Sequence, residues 1–213
     1  MVELKTANLI PENSSPGPDS KGHFNLLAVA PTDVWRKPPS IDNFNAPIIY
    51  HSIPISSFKS AHVTAKGEWM TLYDQGGLFL VLPPKKGSEQ KRWIKSGVEF
   101  YQGKPMMSVV AADEWADWSL LSLATRGEER NGSVTVEFER EQEEDGSWGS
   151  VLRVLLVGRF GVKTPIREIS WAFWDVDESE ELWVGMYAAK PISDARDNLA
   201  VQFEDFVVEA RTD

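Results

Sequence analysis

The chain has 213 residues, of which 42% are hydrophobic, and it contains no cysteine. This length suits a single β-sandwich domain, because such domains commonly extend to about 200–250 residues. With 22 basic and 32 acidic residues the formal net charge is -10, which disfavours nucleic acid or an anionic membrane as a partner. The lack of cysteine excludes disulfides, thiolate metal ligands and a cysteine nucleophile.

The N-terminal sequence and the hydropathy pattern bear on the cellular compartment. The chain begins with an acidic residue at Glu3 and no long apolar run, unlike a secretory signal. No segment approaches the ~18 consecutive apolar residues of a membrane span. We therefore expect a cytoplasmic protein without a membrane partner.

The first 22 residues differ in composition from the rest of the chain. Residues 11–22, PENSSPGPDSKG, are rich in Pro, Ser and Gly, which is typical of a flexible connection. We predict a flexible lead-in at residues 1–22, with the option that its first few residues pair as an edge strand. No later linker and no repeat of about 20–50 residues is visible, so residues 23–213 are predicted to form one domain.

Apolar and polar residues alternate with period two along most of this domain, as in half-buried β-strands. Only Ala112–Trp118 and Ile192–Asn198 have the composition for a helical turn or two. About a dozen short strands separated by turn residues predict an antiparallel sandwich or barrel. The predicted strands are His23–Ala30, Pro47–Ile53, Ala61–Ala65, Thr71–Leu82, Arg92–Tyr101, Met106–Ala112, Trp118–Ala124, Ser133–Glu141, Trp148–Gly158, Ile166–Trp174, Glu181–Ala189 and Leu199–Glu209.

Alternation also assigns side chains to the two faces of each strand. Val134, Val136 and Phe138 are predicted to face the core. In the strand from Arg92 to Tyr101, one face carries Ile94, Ser96, Val98 and Phe100, and the other carries Trp93, Lys95, Gly97 and Glu99. The second of these faces is predicted to be wet.

Six segments resemble motifs of one family in the same order. The resemblance is to the regulation-of-enolase-like family of unknown function, in the concanavalin A-like lectin/glucanase superfamily, and covers about residues 45–210. Gly76 stands where that family usually has Ala, a change that a tight turn tolerates. The segments are Tyr73–Leu80, Trp93–Phe100, Asp117–Leu120, Arg167–Phe173, Val184–Pro191 and Phe203–Phe206.

The resemblance implies an all-β fold, a concanavalin A-like jelly-roll sandwich of two curved antiparallel sheets, one convex and one concave. It implies no catalytic residues. The family name implies an association with regulation of the glycolytic enzyme enolase in fungi. Kinship of fold to lectins and glucanases is an analogy and does not assign an activity.

The predicted binding site is a concave groove around the wet face of the Arg92–Tyr101 strand. A sugar site needs an aromatic face for the ring and polar groups for the hydroxyls. We predict that Trp93 stacks on the ligand and that Gln75, Lys95 and Glu99 hydrogen-bond to it. Trp118 and Tyr187 are predicted to join them from other motifs. The alternative is an ordinary solvated sheet face, on which Lys95 and Glu99 have no ligand.

Three other features have weaker functional interpretations. Glu137, Glu139 and Glu141 have the i, i+2 spacing of paired catalytic carboxylates, but they run into an acidic hairpin and more often form a solvated face. The basic loop at Lys85–Arg92 favours a solvated hairpin over an anion site. Trp35 lies in a Pro-bounded loop and is interpreted, by a small margin, as an anchor on the sandwich edge rather than a cover for the groove.

No metal or cofactor is predicted. The histidines are His23, His51 and His62, which have no ligand-pair spacing, and no calcium loop, phosphate loop or nucleophile elbow is present.

Three functions stay open. The leading hypothesis is binding of a small carbohydrate or sugar-phosphate-like metabolite, with a regulatory role near sugar metabolism. The second is an enzyme acting on a glycoside or related small molecule with Glu99 as acid/base; Lys95 is expected to lower the pKa of Glu99, which suits a base. The third is an interaction module with a glycolytic enzyme such as enolase as partner. A pocket at Lys95 and Glu99 favours the first two, and a flat face favours the third.

Overall fold

The computed structural model describes residues 3–9, 17–123 and 132–211. Fifteen strands and two short 3-10 turns, at Ile55–Ser57 and Arg159–Gly161, are present in these ranges, and no helix among them is long and apolar enough to span a membrane. The strands are β1 (Leu4–Ala7), β2 (Phe24–Val29), β3 (Val34–Lys37), β4 (Ile41–Phe44), β5 (Ile48–Pro54), β6 (Phe58–Gly67), β7 (Gln75–Leu82), β8 (Arg92–Tyr101), β9 (Lys104–Ala112), β10 (Ala116–Ser122), β11 (Ser133–Gln142), β12 (Trp148–Val157), β13 (Lys163–Ile169), β14 (Glu181–Ala189) and β15 (Asn198–Ala210).

Two large antiparallel sheets form a sandwich. The seven-stranded sheet has the order β1-β5-β14-β7-β8-β9-β10, and the six-stranded sheet has the order β13-β12-β11-β6-β15-β2. Their facing sides enclose the main core, which includes Ile94, Val98, Val134, Val136 and Phe138. The all-β jelly-roll prediction and the inward faces of β8 and β11 are therefore confirmed.

The sequence missed the hairpin of β3 and β4, a separate two-stranded sheet. Its polar, Pro-bounded sequence indicated a loop. The hairpin packs over the outer face of the seven-stranded sheet and forms a second apolar cluster there, which joins Val34 to Phe79, Val81, Trp93 and Tyr187. The face of β8 that was predicted to be wet is for this reason largely covered.

Several boundary predictions differ from the structure. β7 begins at Gln75 rather than Thr71, because the backbone turns at Tyr73, which has a φ of 69°. Ala112–Trp118 does not form a helical turn; it comprises the last residue of β9, the connection at residues 113–115 and the start of β10. Within the predicted lead-in, Leu4–Ala7 pairs with β5 as the edge strand that the sequence left open, while residues 10–16 lie outside the described residues.

Two glycines keep β7 and β8 close together beneath the site. Gly77 of β7 is directly opposite Gly97 of β8. A Cβ added to Gly97 would contact the backbone oxygen of Gly76 and would lie 2.6 Å from Cα of Gly77. Because backbone atoms cannot move aside as a flexible side chain can, any side chain at Gly97 would force the two strands apart.

We predict that Gly97→Ala lowers the free energy of unfolding by about 1–3 kcal/mol, the usual cost of overpacking. Urea unfolding measures this effect. Gly17→Ala is the matched control, since a Cβ there meets no atom within 4 Å. Equal unfolding midpoints for Gly97→Ala and the wild type would contradict the close packing of these strands.

Candidate functional site

The register of the seven-stranded sheet aligns the site residues in rows. Lys95 of β8 is opposite Val110 of β9, which is opposite Trp118 of β10. Four residues further along β8, Glu99 is opposite Gln75 of β7. Between these rows lie Gly77 and Gly97, whose lack of side chains leaves space on the same face.

Lys95 is a buried ammonium, with only 2% of its surface exposed. Its Nζ donates to the backbone oxygen of Val34 and to Oε1 of Gln75, both at 2.6 Å, and lies 3.8 Å from Oδ1 of Asp33. Burial lowers the pKa of Lys95, while the carboxylates of Asp33 and Glu99 oppose this shift. The hairpin thus supplies part of the coordination that a buried charge requires.

Glu99 lies beside this ammonium and is 5% exposed. Its Oε2 accepts hydrogen bonds from Oγ of Ser108 at 2.7 Å and from Nε1 of Trp118 at 3.1 Å. Burial, the largest cause, raises the pKa of Glu99 above its usual value, against the lowering effects of Lys95 and both hydrogen bonds. The expectation of a lowered pKa was wrong, because desolvation of the carboxylate outweighs its attraction to Lys95.

Aromatic rings complete a pocket of about 240 Å³. The ring centroid of Trp118 lies 6.4 Å from that of Trp35 and 6.3 Å from that of Tyr73, with interplanar angles of 81° and 72°. The rings of Trp35 and Tyr73 therefore each stand at a steep angle to the ring of Trp118. The pocket is lined by Asp33, Trp35, Lys37, Tyr73, Gln75, Lys95, Glu99, Val110 and Trp118.

Four of the six predicted site residues meet in this pocket: Gln75, Lys95, Glu99 and Trp118. Trp93 and Tyr187 do not line it, because the β3–β4 hairpin covers them, and they are 0% and 1% exposed. The prediction that Trp93 stacks on a ligand was therefore wrong. Instead, the rings of Trp93 and Tyr187 each lie 5.7 Å from Nζ of Lys95 and pack beneath the hairpin.

The sequence missed Asp33 and Tyr73 as pocket residues and underrated Trp35. Trp35 lies on β3 and lines the pocket, so its interpretation as a cover was the better one. A turn residue such as Asp33 gives no periodic signal. Only the folding of the hairpin onto the sheet brings it near Lys95.

A second buried lysine, Lys190, joins the two segments that carry these residues. It is 1% exposed, and its Nζ contacts Oγ1 of Thr71 at 2.9 Å and carboxylate oxygens of Asp74 and Asp194 at 3.3 Å. Its backbone N–H and C=O each pair with Thr32 at 3.0 Å. Lys190 thereby fixes the residues next to Tyr73 and Gln75 on one side of the pocket and next to Asp33 on the other.

Strand β11, which carries Glu137, Glu139 and Glu141, does not line this pocket. Glu137 and Glu139 line an open groove of about 860 Å³ on the outer face of the six-stranded sheet. Glu137 is buried and accepts a hydrogen bond from Nζ of Lys163 at 2.7 Å, and Glu139 lies 3.9 Å from the same nitrogen. Arg153 of β12 pairs with Glu141. The carboxylates of this strand have ionic partners, as in an ordinary surface network.

The basic loop also lies outside the pocket. Lys85 pairs with Asp113, and Nζ of Lys91 lies over the rings of Phe44 and Trp183 at 5.4 Å and 5.8 Å. Within the ranges that the structure describes, no group of three or more His, Cys, Asp or Glu residues is arranged to hold a metal.

Residues 11–211 match the model of a protein family described as "Protein of unknown function (DUF1349)". The chain belongs to the DUF1349 family. A relative of this DUF1349 protein, an uncharacterised protein of Emericella nidulans, is 42% identical over 187 residues, which cover 87% of this chain and 86% of the relative.

Solved structures similar to this DUF1349 protein agree on the fold. A functionally unknown protein from Saccharomyces cerevisiae has a TM-score of 0.74 at 20% identity, covering 99% of this chain and 97% of that one. A Bacillus licheniformis β-glucanase has a TM-score of 0.55 at 11% identity, covering 98% and 92%. At these identities the likeness shows the concanavalin-like glucanase fold and carries no activity to this DUF1349 protein.

We predict that Glu99→Gln stabilises the protein at a pH of about 8 and that this gain shrinks as the pH falls. Because the folded-state pKa of Glu99 is raised, ionisation costs folding free energy above that pKa, and the cost vanishes as the pH falls through it towards the unfolded value. Gln removes the charge. Urea unfolding of both proteins across this pH range measures the difference.

Glu68→Gln is the control for this comparison, since that side chain is 85% exposed. Its effect on the unfolding free energy is expected to be small at every pH. A Glu99→Gln effect that does not change with pH would show that the ionisation of Glu99 carries no folding cost.

Proposed function

We propose that this protein binds a small carbohydrate in the pocket between the β3–β4 hairpin and the seven-stranded sheet. The observation that supports this most directly is the joining of three aromatic rings with two carboxylates and an amide around about 240 Å³. Aromatic faces suit the C–H side of a sugar ring, and carboxylate and amide groups suit its hydroxyls. The volume lies below the roughly 300–1000 Å³ of sites for larger ligands, which favours a single sugar ring.

Pre-organisation supports the same proposal. Lys95 and Lys190 hold the pocket walls through buried hydrogen bonds, so ligand binding would order few additional side chains. A concave site also favours a small molecule over a protein surface, since protein interfaces are larger and flatter.

We propose further that binding serves regulation near sugar metabolism, with a glycolytic enzyme such as enolase as the partner that responds. This part of the proposal rests on sequence resemblance alone. Co-precipitation of the protein with enolase, with and without a sugar that binds, tests it separately from the pocket.

We predict that Trp118→Ala weakens sugar binding about tenfold, because an aromatic contact is worth roughly 0.5–1.5 kcal/mol beyond the area it buries. Isothermal titration calorimetry against a panel of neutral monosaccharides measures the affinity. Trp118→Phe retains a ring while losing the N–H bond to Glu99, and is expected to retain most of the affinity.

Trp174→Ala is the matched control, since Trp174 is 71% exposed and lines none of this pocket. The affinity of Trp174→Ala for the sugar is expected to equal that of the wild type. If no sugar binds at millimolar concentration, or if Trp118→Ala binds as tightly as the wild type, the proposal is wrong.

A second candidate function is cleavage of a glycoside, and the raised pKa of Glu99 favours it. A raised pKa favours the protonated form of the Glu99 carboxyl group, which is the form that donates a proton to a leaving oxygen. We expect product release from a chromogenic glycoside to fall at least about a hundredfold in Glu99→Gln. Retained turnover in that variant would rule out Glu99 as the acid.

A further inference from the structure

The hydrogen-bond donors that face the pocket are mostly in use. Nζ of Lys95 donates to Val34 and Gln75, and the amide nitrogen of Gln75 in turn lies 3.3 Å from the backbone oxygen of Tyr73 and 3.4 Å from Oδ1 of Asp33. The indole N–H of Trp118 and the hydroxyl of Ser108 both donate to Glu99. A ligand therefore meets few charged donors inside the pocket.

The hydrogen-bond acceptors of the pocket, in contrast, are only partly occupied. Asp33 accepts through Oδ1, from the backbone N–H of Val34 and from Gln75, and Glu99 accepts through Oε2. Among the residues of the described ranges, none donates to Oδ2 of Asp33 or to Oε1 of Glu99. Both residues line the pocket, so each leaves one carboxylate oxygen for a ligand that donates hydrogen bonds.

The charges of the lining residues also favour a ligand that donates hydrogen bonds. Asp33 and Glu99 carry two carboxylates against the single buried ammonium of Lys95, which is already paired. Lys37, the other cation of the lining, is exposed at the rim and solvated. A phosphate inside the pocket would lie beside two carboxylates, and like charges repel most where solvent is excluded.

The arrangement of the aromatic rings also favours a cation. Trp35 and Tyr73 stand at 81° and 72° to Trp118, and all three rings line the pocket. Aromatic faces attract cations, and enclosure by several rings is the arrangement that binds organic ammonium groups. A flat platform for a neutral sugar requires only one such ring.

We propose that the pocket selects a small ligand that carries a protonated amine, with an amino sugar as the carbohydrate that satisfies it. The sugar part of this inference rests on the proposed function, and the preference for an amine does not. The ammonium would donate to Oε1 of Glu99 and Oδ2 of Asp33, while the aromatic rings contact the remaining carbon atoms. A sugar phosphate is the ligand that the same charges exclude.

The test is isothermal titration calorimetry at neutral pH with five probes: glucosamine, N-acetylglucosamine, glucose, glucose 6-phosphate and tetramethylammonium. Glucosamine is expected to bind at least about tenfold more tightly than glucose or N-acetylglucosamine, because a charge-assisted hydrogen bond is stronger than a neutral one. Glucose 6-phosphate is expected to bind most weakly.

Substitutions of the pocket residues identify the groups that bind the amine. Glu99→Gln and Asp33→Asn each remove one carboxylate and are expected to reduce the advantage of glucosamine over glucose to about threefold or less. Glu144→Gln, in the exposed turn between β11 and β12, is the control and keeps the full advantage. Lys37→Gln is expected not to weaken glucosamine binding.

The outcomes separate this inference from the proposed function. If glucose binds as tightly as glucosamine, the amine preference is wrong and the carbohydrate site stands. If tetramethylammonium binds and no sugar does, the cation site stands and the carbohydrate proposal is wrong. Tight binding of glucose 6-phosphate that is lost in Lys37→Gln would assign the pocket to anions and overturn the inference, and failure of all five probes would overturn both.

Discussion

The buried ammonium of Lys95 is the constraint on which the site depends. A charge removed from water is tolerated only when fixed partners replace its hydration. Those partners come from separate segments: the backbone of Val34 in the hairpin, the amide of Gln75 on β7 and the carboxylate of Asp33. If the hairpin moved away from the sheet, the ammonium of Lys95 would lose Val34 and Asp33 and keep only Gln75, so this side chain helps to fix the element that closes the pocket.

The hairpin in turn changes the character of the whole sheet face. It buries Trp93 and Tyr187 in an apolar cluster and leaves open only the region near Glu99. Burial in that region raises the pKa of Glu99 and of Asp33 and strengthens the charge interactions within it. The site is therefore a small, partly enclosed and acidic pocket with aromatic walls. Without the hairpin, the same sheet face would be a solvated surface.

The functional proposals follow from this combination. Aromatic rings alone would suit many ligands, and carboxylates alone would be an ordinary wet surface. Held together at about 240 Å³, they favour a ligand of single-ring size that donates hydrogen bonds. Membership of the DUF1349 family and the likeness to glucanase structures give the fold but no activity, so the chemistry of the site has to be argued from these residues.

The sequence by itself determined the sandwich and half of the site. Period-two alternation fixed the inward faces of β8 and β11 and placed Lys95 and Glu99 on one side of a strand, because side-chain direction in a strand depends only on local geometry. It could not decide whether that side was wet. Only the tertiary structure decided this, because covering a face depends on contacts between distant residues such as Val34 and Lys95. The exchange of Trp93 for Trp35 and Tyr73 in the pocket wall, and the raised pKa of Glu99, have the same physical origin.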